Sequence, residues 1–219
     1  MGTILASSLI ARASEIAGDE SNVVWLKTQA LEWVSDAQIA VAIVRHDSYT
    51  ETKSILLKAG TKQTITGHRL LTVIRNMGSD GATPGRSIRL VDRGAKDEFE
   101  PNWHSADPEA VVKEYVYDDR VPKRFYVSPP VIASTQVYVE TEEEETPTPV
   151  ANIEDPIVLD DIYSTAMIEW ICYRFFSRDS EVTPNIPRAI EHFKNFFMLL
   201  GEKMKSDMAT SPKVRAHLE

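Results

Sequence analysis

The sequence predicts an α+β fold in which helices near both ends of the chain flank a strand-rich middle. Apolar residues recur every three or four positions near each end, which is the period of one helix face. In the middle, short runs of threonine, tyrosine and branched apolar residues are separated by glycine, as in strands. We therefore expect an N-terminal helix hairpin and a C-terminal helix pair packed as a helical bundle, with an inserted sandwich-like or barrel-like region. The expected regions are N-terminal helices at 1–47, a strand-rich insert at 48–150, C-terminal helices at 151–202 and a polar tail at 203–219.

The N-terminal pattern predicts two helices joined by a short turn. The first covers residues 3–17 and ends at Gly18, which interrupts the helical period. The second covers residues 23–44, and Ser21 or Asn22 offers a side-chain oxygen to its first free amides. Because so few residues separate the helices, we expect them to form a hairpin.

The middle of the chain predicts several short strands. Residues 55–58 and 63–66 flank a glycine-containing turn and predict a β-hairpin. The glycines and proline between Gly78 and Gly85 predict a long surface loop, and the segment near Asp97 fits either a helical turn or a strand. Further strands are expected at residues 70–75, 111–117, 124–127 and 136–140.

The remaining part of the chain predicts a connector, two helices and a tail. Four glutamates at 142–145 precede Thr-Pro-Thr-Pro, a combination that predicts a solvated connector. A helix is expected after Asp160, and a last helix is expected from near Pro187 to Gly201. Residues 203–219 are polar and carry no apolar stripe, so we expect a tail.

Composition restricts the class of protein. The 219 residues carry a formal net charge of −9, which disfavours a protein that binds DNA phosphates through a basic face. No apolar run approaches the twenty or so residues that span a bilayer, and residues 1–20 lack the pattern of a secretion signal. The single cysteine excludes an internal disulfide and suits a reducing cytosol. We expect a soluble protein without a membrane anchor.

No motif in the sequence predicts catalysis, a metal or a cofactor. The histidines lack the spacing that places two ligands on one metal ion. No phosphate-binding loop or nucleophile elbow is present. Cys172 lies between Trp170 and Tyr173 on a predicted core helix, so we expect its thiol to pack as a small apolar group. We therefore predict a non-enzymatic protein without a cofactor. The histidines are His46, His68, His104, His192 and His217.

The acidic run allows three interpretations. It fits a solvated loop, or a patch of negative potential that faces a channel and repels passing DNA. A cation site is a third possibility, although such sites also need Asp, Asn and Gly at set positions. The residues concerned are Glu142, Glu143, Glu144 and Glu145.

Three stretches of the chain, together with the order of its regions, carry a family resemblance. Residues 25–38 combine two tryptophans with Asp-Ala-Gln before the strand-rich insert. Residues 115–131 form an extended middle segment, and residues 159–189 contain the pattern of paired closing helices. In these stretches the chain resembles the head-to-tail adaptor, or connector, proteins of tailed bacteriophages, particularly short-tailed ones.

This resemblance implies a structural virion protein. It implies a ring of twelve copies below the portal protein, with the tail nozzle or tail-tube protein beyond it. DNA would pass through the ring without specific binding, and the protein would be made in the host cytoplasm and lie at the head–tail interface of the virion. On this interpretation the polar tail orders against the portal. The candidate portal-contact residues are Lys203, Lys205, Lys213, Arg215 and Leu218.

Two alternatives remain open at this stage. Within the same class, the chain fits a tail-tube or head-completion protein. From another class, it fits a small hydrolase or ligand-binding domain with its site in the strand-rich insert.

Overall fold

The computed structural model describes residues 2–178 and 185–210. Five α-helices are present in these residues. They are α1 (Ala6–Ala17), α2 (Lys27–Val44), α3 (Arg93–Phe99), α4 (Ser164–Arg178) and α5 (Asn185–Thr210).

The described residues also contain eight strands in two four-stranded sheets. One sheet has the order β1-β8-β3-β4, and the other has the order β2-β7-β6-β5. Pairing is antiparallel except between β5 and β6. The strands are β1 (Thr50–Leu56), β2 (Gly60–Thr64), β3 (Arg69–Met77), β4 (Pro84–Ser87), β5 (Arg89–Leu90), β6 (Glu114–Tyr117), β7 (Arg124–Val131) and β8 (Tyr138–Glu144).

The chain divides into two compact units. A helical unit contains the described residues of Met1–Tyr49 and Pro147–Glu219, and a strand unit contains Thr50–Thr146. The two segments of the helical unit are joined by backbone hydrogen bonds. The amide of Ile157 donates to the carbonyl of Ile4 at 2.9 Å, and the amide of Ala6 donates to the carbonyl of Asp155 at 3.0 Å.

Helix α4 is the centre of the helical unit, since α1, α2 and α5 all pack against it. Its Phe175 is fully buried and stacks on Trp25, with 4.5 Å between ring centroids. Trp33 of α2 meets the same ring edge-on at 4.9 Å. Burial of large aromatic side chains contributes strongly to such a core, so these contacts hold the start of α2 against α4.

Strand β8 is the centre of one sheet because it pairs with both β1 and β3. Side chains alternate between the two faces of a strand, and Val139, Thr141 and Glu143 are all buried. Val139 belongs to the separate apolar core of the strand unit, which also includes Phe125 and Val127. A buried glutamate in this row requires polar partners.

The predicted packing of the helices as a bundle that frames the strand-rich region is wrong. The protein is α+β, but its five described helices do not form a bundle that frames the sheets. Helix α3 lies within the strand unit, and α5 packs mainly on α4. The strands form two separate sheets. Helical periodicity identifies the apolar face of each helix, whereas the partner of that face depends on contacts distant in sequence.

The predicted hairpin between residues 55–58 and 63–66 is also wrong. Strand β1 pairs with β8, and β2 pairs with β7. Gly60 has a φ of 95°, which favours glycine, and the chain changes sheet there. The buried Gln63 closes this turn by donating to the carbonyl of Lys58 at 2.7 Å and accepting from its amide at 2.8 Å.

The segment from Gly78 to Gly85 is shorter as a loop than predicted, because β4 begins at Pro84 and pairs with β3. Asp80 closes the turn by accepting hydrogen bonds from the amides of Ala82 and Thr83, at 2.9 and 3.1 Å. These donors lower the pKa of the Asp80 carboxyl to about 2. The turn therefore keeps a charged carboxylate at neutral pH.

Candidate assembly surfaces

One long face of α5 is apolar and exposed. Its residues recur at intervals of four, three, four, seven and four, the spacing of one helix face. Gly201 lies midway in the seven-residue gap, and a Cβ added there would meet nothing within 4 Å. The face is about 33 Å long at 1.5 Å per residue. The members of this α5 stripe are Ile186, Ile190, Phe193, Phe197, Met204 and Met208, with exposed fractions from 38 % to 62 %.

A different face of α5 holds the helix against α4. Phe196 is fully buried, and its ring centroid lies 5.0 Å from that of Trp170. His192 stacks on Phe176, and its Nδ1 lies 2.7 Å from Oε2 of Glu169. These contacts fix α5 on α4 and leave the α5 stripe exposed.

An apolar groove of about 570 Å³ lies between the end of α4 and the start of α5. Two basic side chains of the described residues lie near its edge: the Arg188 guanidinium lies 5.5 Å from the centre of the Phe176 ring, and the exposed Lys194 lines the opening. The α4–α5 groove therefore joins an apolar floor to a cationic rim. The apolar lining residues are Tyr173, Phe176, Ile186, Ala189, Ile190 and Phe193.

The connector between α1 and α2, residues 18–26, presents a second exposed apolar surface. Asp19 is buried, and its carboxylate accepts hydrogen bonds from the amides of Val23, Val24 and Trp25 at 2.8, 3.1 and 3.1 Å. Burial opposes ionisation, but these three donors lower the pKa of the Asp19 carboxyl below its usual value. The side chains of Val23 and Val24 are 78 % and 62 % exposed.

The same hydrogen bonds explain why α2 begins later than predicted. The sequence places Val23 on the apolar face of a helix, but α2 starts at Lys27. The amides of Val23, Val24 and Trp25 donate to Asp19, so the connector remains outside the helix while Trp25 is buried against Phe175.

The predicted portal-contact residues fall in two groups. Lys203 and Lys205 lie on α5, where their ammonium groups bind Asp207 at 2.9 Å and Glu202 at 2.7 Å. Helix α5 was expected to end at Gly201 but continues to Thr210, so residues 203–210 are helical. The other candidates, Lys213, Arg215 and Leu218, lie outside the described residues.

The predicted solvated connector at 142–145 is wrong, because β8 extends through Glu144. Glu143 is fully buried and accepts hydrogen bonds from the amide of Gly67 and the hydroxyl of Thr141, both at 2.9 Å. Glu144 is also buried, and its Oε2 lies 3.7 Å from Nε of Arg69. Like charges adjacent in sequence are tolerated here because each buried carboxylate has partners from another segment.

The two outer glutamates of the run are more accessible. Glu142 and Glu145 are partly exposed. Lys53 binds Glu145 with 2.5 Å between Nζ and Oε1, and this hydrogen bond raises the pKa of the Lys53 ammonium. Any acidic patch formed by this run must therefore rely on Glu142 and Glu145.

The remaining features considered in the sequence are the cysteine, a metal site and a membrane helix. Cys172 is buried in α4, as predicted, and burial raises the pKa of its thiol to about 12. Within residues 2–178 and 185–210, no group of three His, Cys, Asp or Glu side chains is arranged to hold a metal ion. No helix in the same residues combines the length and apolar character needed to cross a bilayer.

Sequence reasoning missed the connector surface and half of the α5 stripe. The last helix, expected from near Pro187 to Gly201, includes Phe193 and Phe197, but its expected end separated them from Met204 and Met208. The available signal was the four-residue spacing of Phe193 and Phe197 before Gly201 and of Met204 and Met208 after it. The connector was missed because the carboxylate of Asp19 binds the amides of Val23, Val24 and Trp25, four to six residues later, and keeps Val23 outside a helix.

Comparison with known proteins decides the family. A model of the SU10 adaptor protein family matches residues 4–216. The chain belongs to the SU10 adaptor protein family. This SU10 family member is a phage adaptor protein and a component of the virion, which confirms the resemblance to phage adaptors. The short-tailed type stays a prediction. No curated protein matches the chain.

Proposed function

We propose that this SU10 adaptor protein is a non-enzymatic subunit of a ring that joins the portal to the tail and forms part of the DNA channel. The family match over residues 4–216 carries the proposal, because it includes residues of both the helical unit and the strand unit. The proposed ring contains twelve copies. Its partners are the portal protein on one side and the tail nozzle or tail-tube protein on the other.

Charge supports passage of DNA without specific binding. The formal net charge of −9 makes close approach of phosphates unfavourable, and salt confines this effect to about 10 Å. Within the acidic run, we assign the channel-facing role to Glu142 and Glu145, which are partly exposed. Glu143 and Glu144 are buried, so the proposal does not assign this role to them.

The C-terminal end of α5 is the proposed portal contact. Lys203 and Lys205 carry positive charge there, and Met204 and Met208 of the α5 stripe are exposed on the same turns. Exposed methionines adapt readily to a partner surface, and lysines add charge at its rim. The proposed contact extends beyond the described residues to Lys213, Arg215 and Leu218.

Mixing the purified protein with the portal protein of its own phage tests the proposal. Light scattering coupled to gel filtration and negative-stain images are expected to show rings attached to the portal. A protein that remains monomeric and does not bind the portal would contradict the proposal. Tubes formed by stacking without the portal would indicate a tail-tube protein instead.

A truncation after Thr210 tests the portal contact specifically. It removes Lys213, Arg215 and Leu218 but keeps Asp207, which anchors the end of α5. We expect weaker portal binding with an unchanged melting temperature. The control is Lys58→Ala, which removes an exposed lysine of the strand unit. Equal portal binding by the truncated and full-length chains would exclude the part of this contact beyond Thr210.

A further inference from the structure

The α4–α5 groove continues into the α5 stripe, so exposed apolar side chains follow one another along α5. Ile186, Ile190 and Phe193 line the groove and are 47 %, 50 % and 38 % exposed. Contiguous exposed apolar patches on soluble proteins commonly mark interaction sites. The groove is therefore a candidate interaction site.

The α1–α2 connector is a second exposed apolar surface, and its backbone is held by hydrogen bonds. Asp19 fixes the connector backbone through three amides, and Trp25 anchors it in the core. Val23 and Val24 are thereby held in solvent although both are apolar. A projection that is ordered before binding loses little conformational entropy when it docks.

The charges around the two surfaces are complementary. Between Arg12 and Lys27, every charged residue is acidic, and two of them, Glu15 and Glu20, are exposed. The groove has Arg188 and Lys194 at its edge. Contact of Glu15 and Glu20 with Arg188 and Lys194 favours docking in one orientation, in which the exposed Lys27 beside the two glutamates faces away from the groove.

Within one copy, these surfaces lie on different sides of α4. Phe175 faces the connector through its stack with Trp25, whereas Phe176 faces α5 through its stack with His192. The connector is held in place by Asp19 and cannot reach the groove of its own chain without losing those hydrogen bonds. A contact between different surfaces of identical copies is heterologous and repeats around a ring.

We propose that the α1–α2 connector of one copy inserts Val23 and Val24 into the α4–α5 groove of a second copy of this chain. This inference rests on the proposed ring function and identifies the contact between neighbouring subunits. Glu15 and Glu20 meet the basic edge formed by Arg188 and Lys194. The C-terminal part of the α5 stripe stays available for the portal.

Cross-linking between two cysteine variants tests the contact directly. Val24→Cys and Ile190→Cys place one thiol on the connector and one in the groove. Cys172 does not interfere, because it is buried and its thiol pKa is raised to about 12. A short bismaleimide is added to rings assembled on the portal. It should join the two variants only when they are mixed. A chain that carries both cysteines should give a ladder of covalent oligomers.

The single variants are the matched controls. Cross-linking of Val24→Cys with itself would show two connectors in contact and would overturn the proposal. Absence of cross-links in the mixture, under conditions where rings form, would overturn it as well.

Charge and burial variants give an independent measurement. Val23→Asp combined with Val24→Asp should weaken ring formation more than about tenfold, since it places charge in an apolar groove. Glu20→Lys or Lys194→Glu alone should weaken it about two- to fivefold, and their combination should restore part of the loss. Ile43→Asp, at an exposed site on α2, is the control.

The failures of the two proposals are distinguishable. If the unmodified chain forms no rings with or without the portal, both the ring function and the proposed contact between connector and groove are wrong. If rings form equally well with the Val23→Asp, Val24→Asp variant, the ring function stands and the proposed contact alone is wrong.

Discussion

Arg45 at the end of α2 binds Asp207 near the end of α5, with 2.7 Å between Nη2 and Oδ2. The same guanidinium holds Asp47 through Nε at 2.9 Å and Nη2 at 2.7 Å. Arg45 is 5 % exposed, whereas Asp207 is 44 % exposed. A buried guanidinium is costly without anionic partners, so this pair links two helices far apart in sequence and supports α5 beyond Gly201.

We expect Asp207→Ala to loosen the last two turns of α5. Asp207 is partly exposed and Arg45 retains Asp47, so the loss in free energy of unfolding should be about 1 kcal/mol. Hydrogen exchange at residues 203–210 should accelerate, while exchange in α1 should not change. Glu202→Ala, which removes an exposed partner of Lys205, is the matched control. Equal protection in both variants would contradict this role of Asp207.

The same cluster predicts loss of stability in acid. The Arg45 guanidinium lowers the pKa values of the Asp47 and Asp207 carboxyls below their usual value of 3.8, and Lys203 contributes at Asp207. Their stabilisation is therefore present above about pH 4 and lost as the pH falls through the lowered values. Protection factors of the amides at the end of α5, which are corrected for the intrinsic pH dependence of exchange, should fall below pH 4. The change should be smaller in Asp207→Ala, and equal acid sensitivity would argue against this cluster as its source.

Replacement of Glu143 should destabilise the strand unit. Glu143→Ala leaves the amide of Gly67 without its carboxylate acceptor and removes the hydrogen bond of Thr141. The Gly67 amide and the Thr141 hydroxyl then stay buried without an acceptor, which should lower the free energy of unfolding by about 2–4 kcal/mol, measured by urea unfolding. Glu142→Ala, in the partly exposed neighbour, should change stability by less than about 0.5 kcal/mol. Similar values for both variants would mean that Glu143 is solvated.

Gly201→Ala should stabilise the helical unit in the unassembled protein. Gly201 lies inside α5, a Cβ there would meet nothing within 4 Å, and alanine favours helix by about 0.5–1 kcal/mol. The melting temperature should rise by about 1–4 °C. Gly18→Ala should instead lower it, because Gly18 ends α1 with a φ of 73°. A lower melting temperature for Gly201→Ala would show that the helix end is not populated.

The thiol of Cys172 should be protected in the folded protein. Burial and the nearby Glu169 raise its pKa to about 12, so little thiolate exists at neutral pH. Ellman's reagent should react slowly with the native protein and rapidly after unfolding in guanidinium. The exposed thiol of Val24→Cys is the internal comparison. Rapid reaction of native Cys172 would contradict its burial.

The sequence predicted the positions of helices and strands better than the elements that pair or pack with them. Helical spacing located α1, α4 and most of α5, and the burial of Cys172 followed from its aromatic neighbours. The pairing of β1 and β2 was missed, because alternation defines a strand without identifying the strand beside it.

The acidic run shows a second limit. Four consecutive glutamates favour solvent when considered alone, yet Glu143 is buried because Gly67 and Thr141 hydrogen-bond to its carboxylate. Gly67 is 76 positions away in the chain. Local charge density therefore gave the wrong environment.

The sequence by itself determined the α+β class, the acidic charge, the absence of recognisable catalytic motifs and the likeness to phage adaptors. The tertiary structure decided which surfaces are exposed. It removed Val23 from a helix through Asp19 and extended α5 beyond Gly201 with support from Arg45. The first outcome depends on hydrogen bonds to the side chain of Asp19, four residues before Val23, and the second on those from Arg45, which lies at the end of a different helix. Such bonds compete with local propensity and can outweigh it, which a periodic pattern does not reveal.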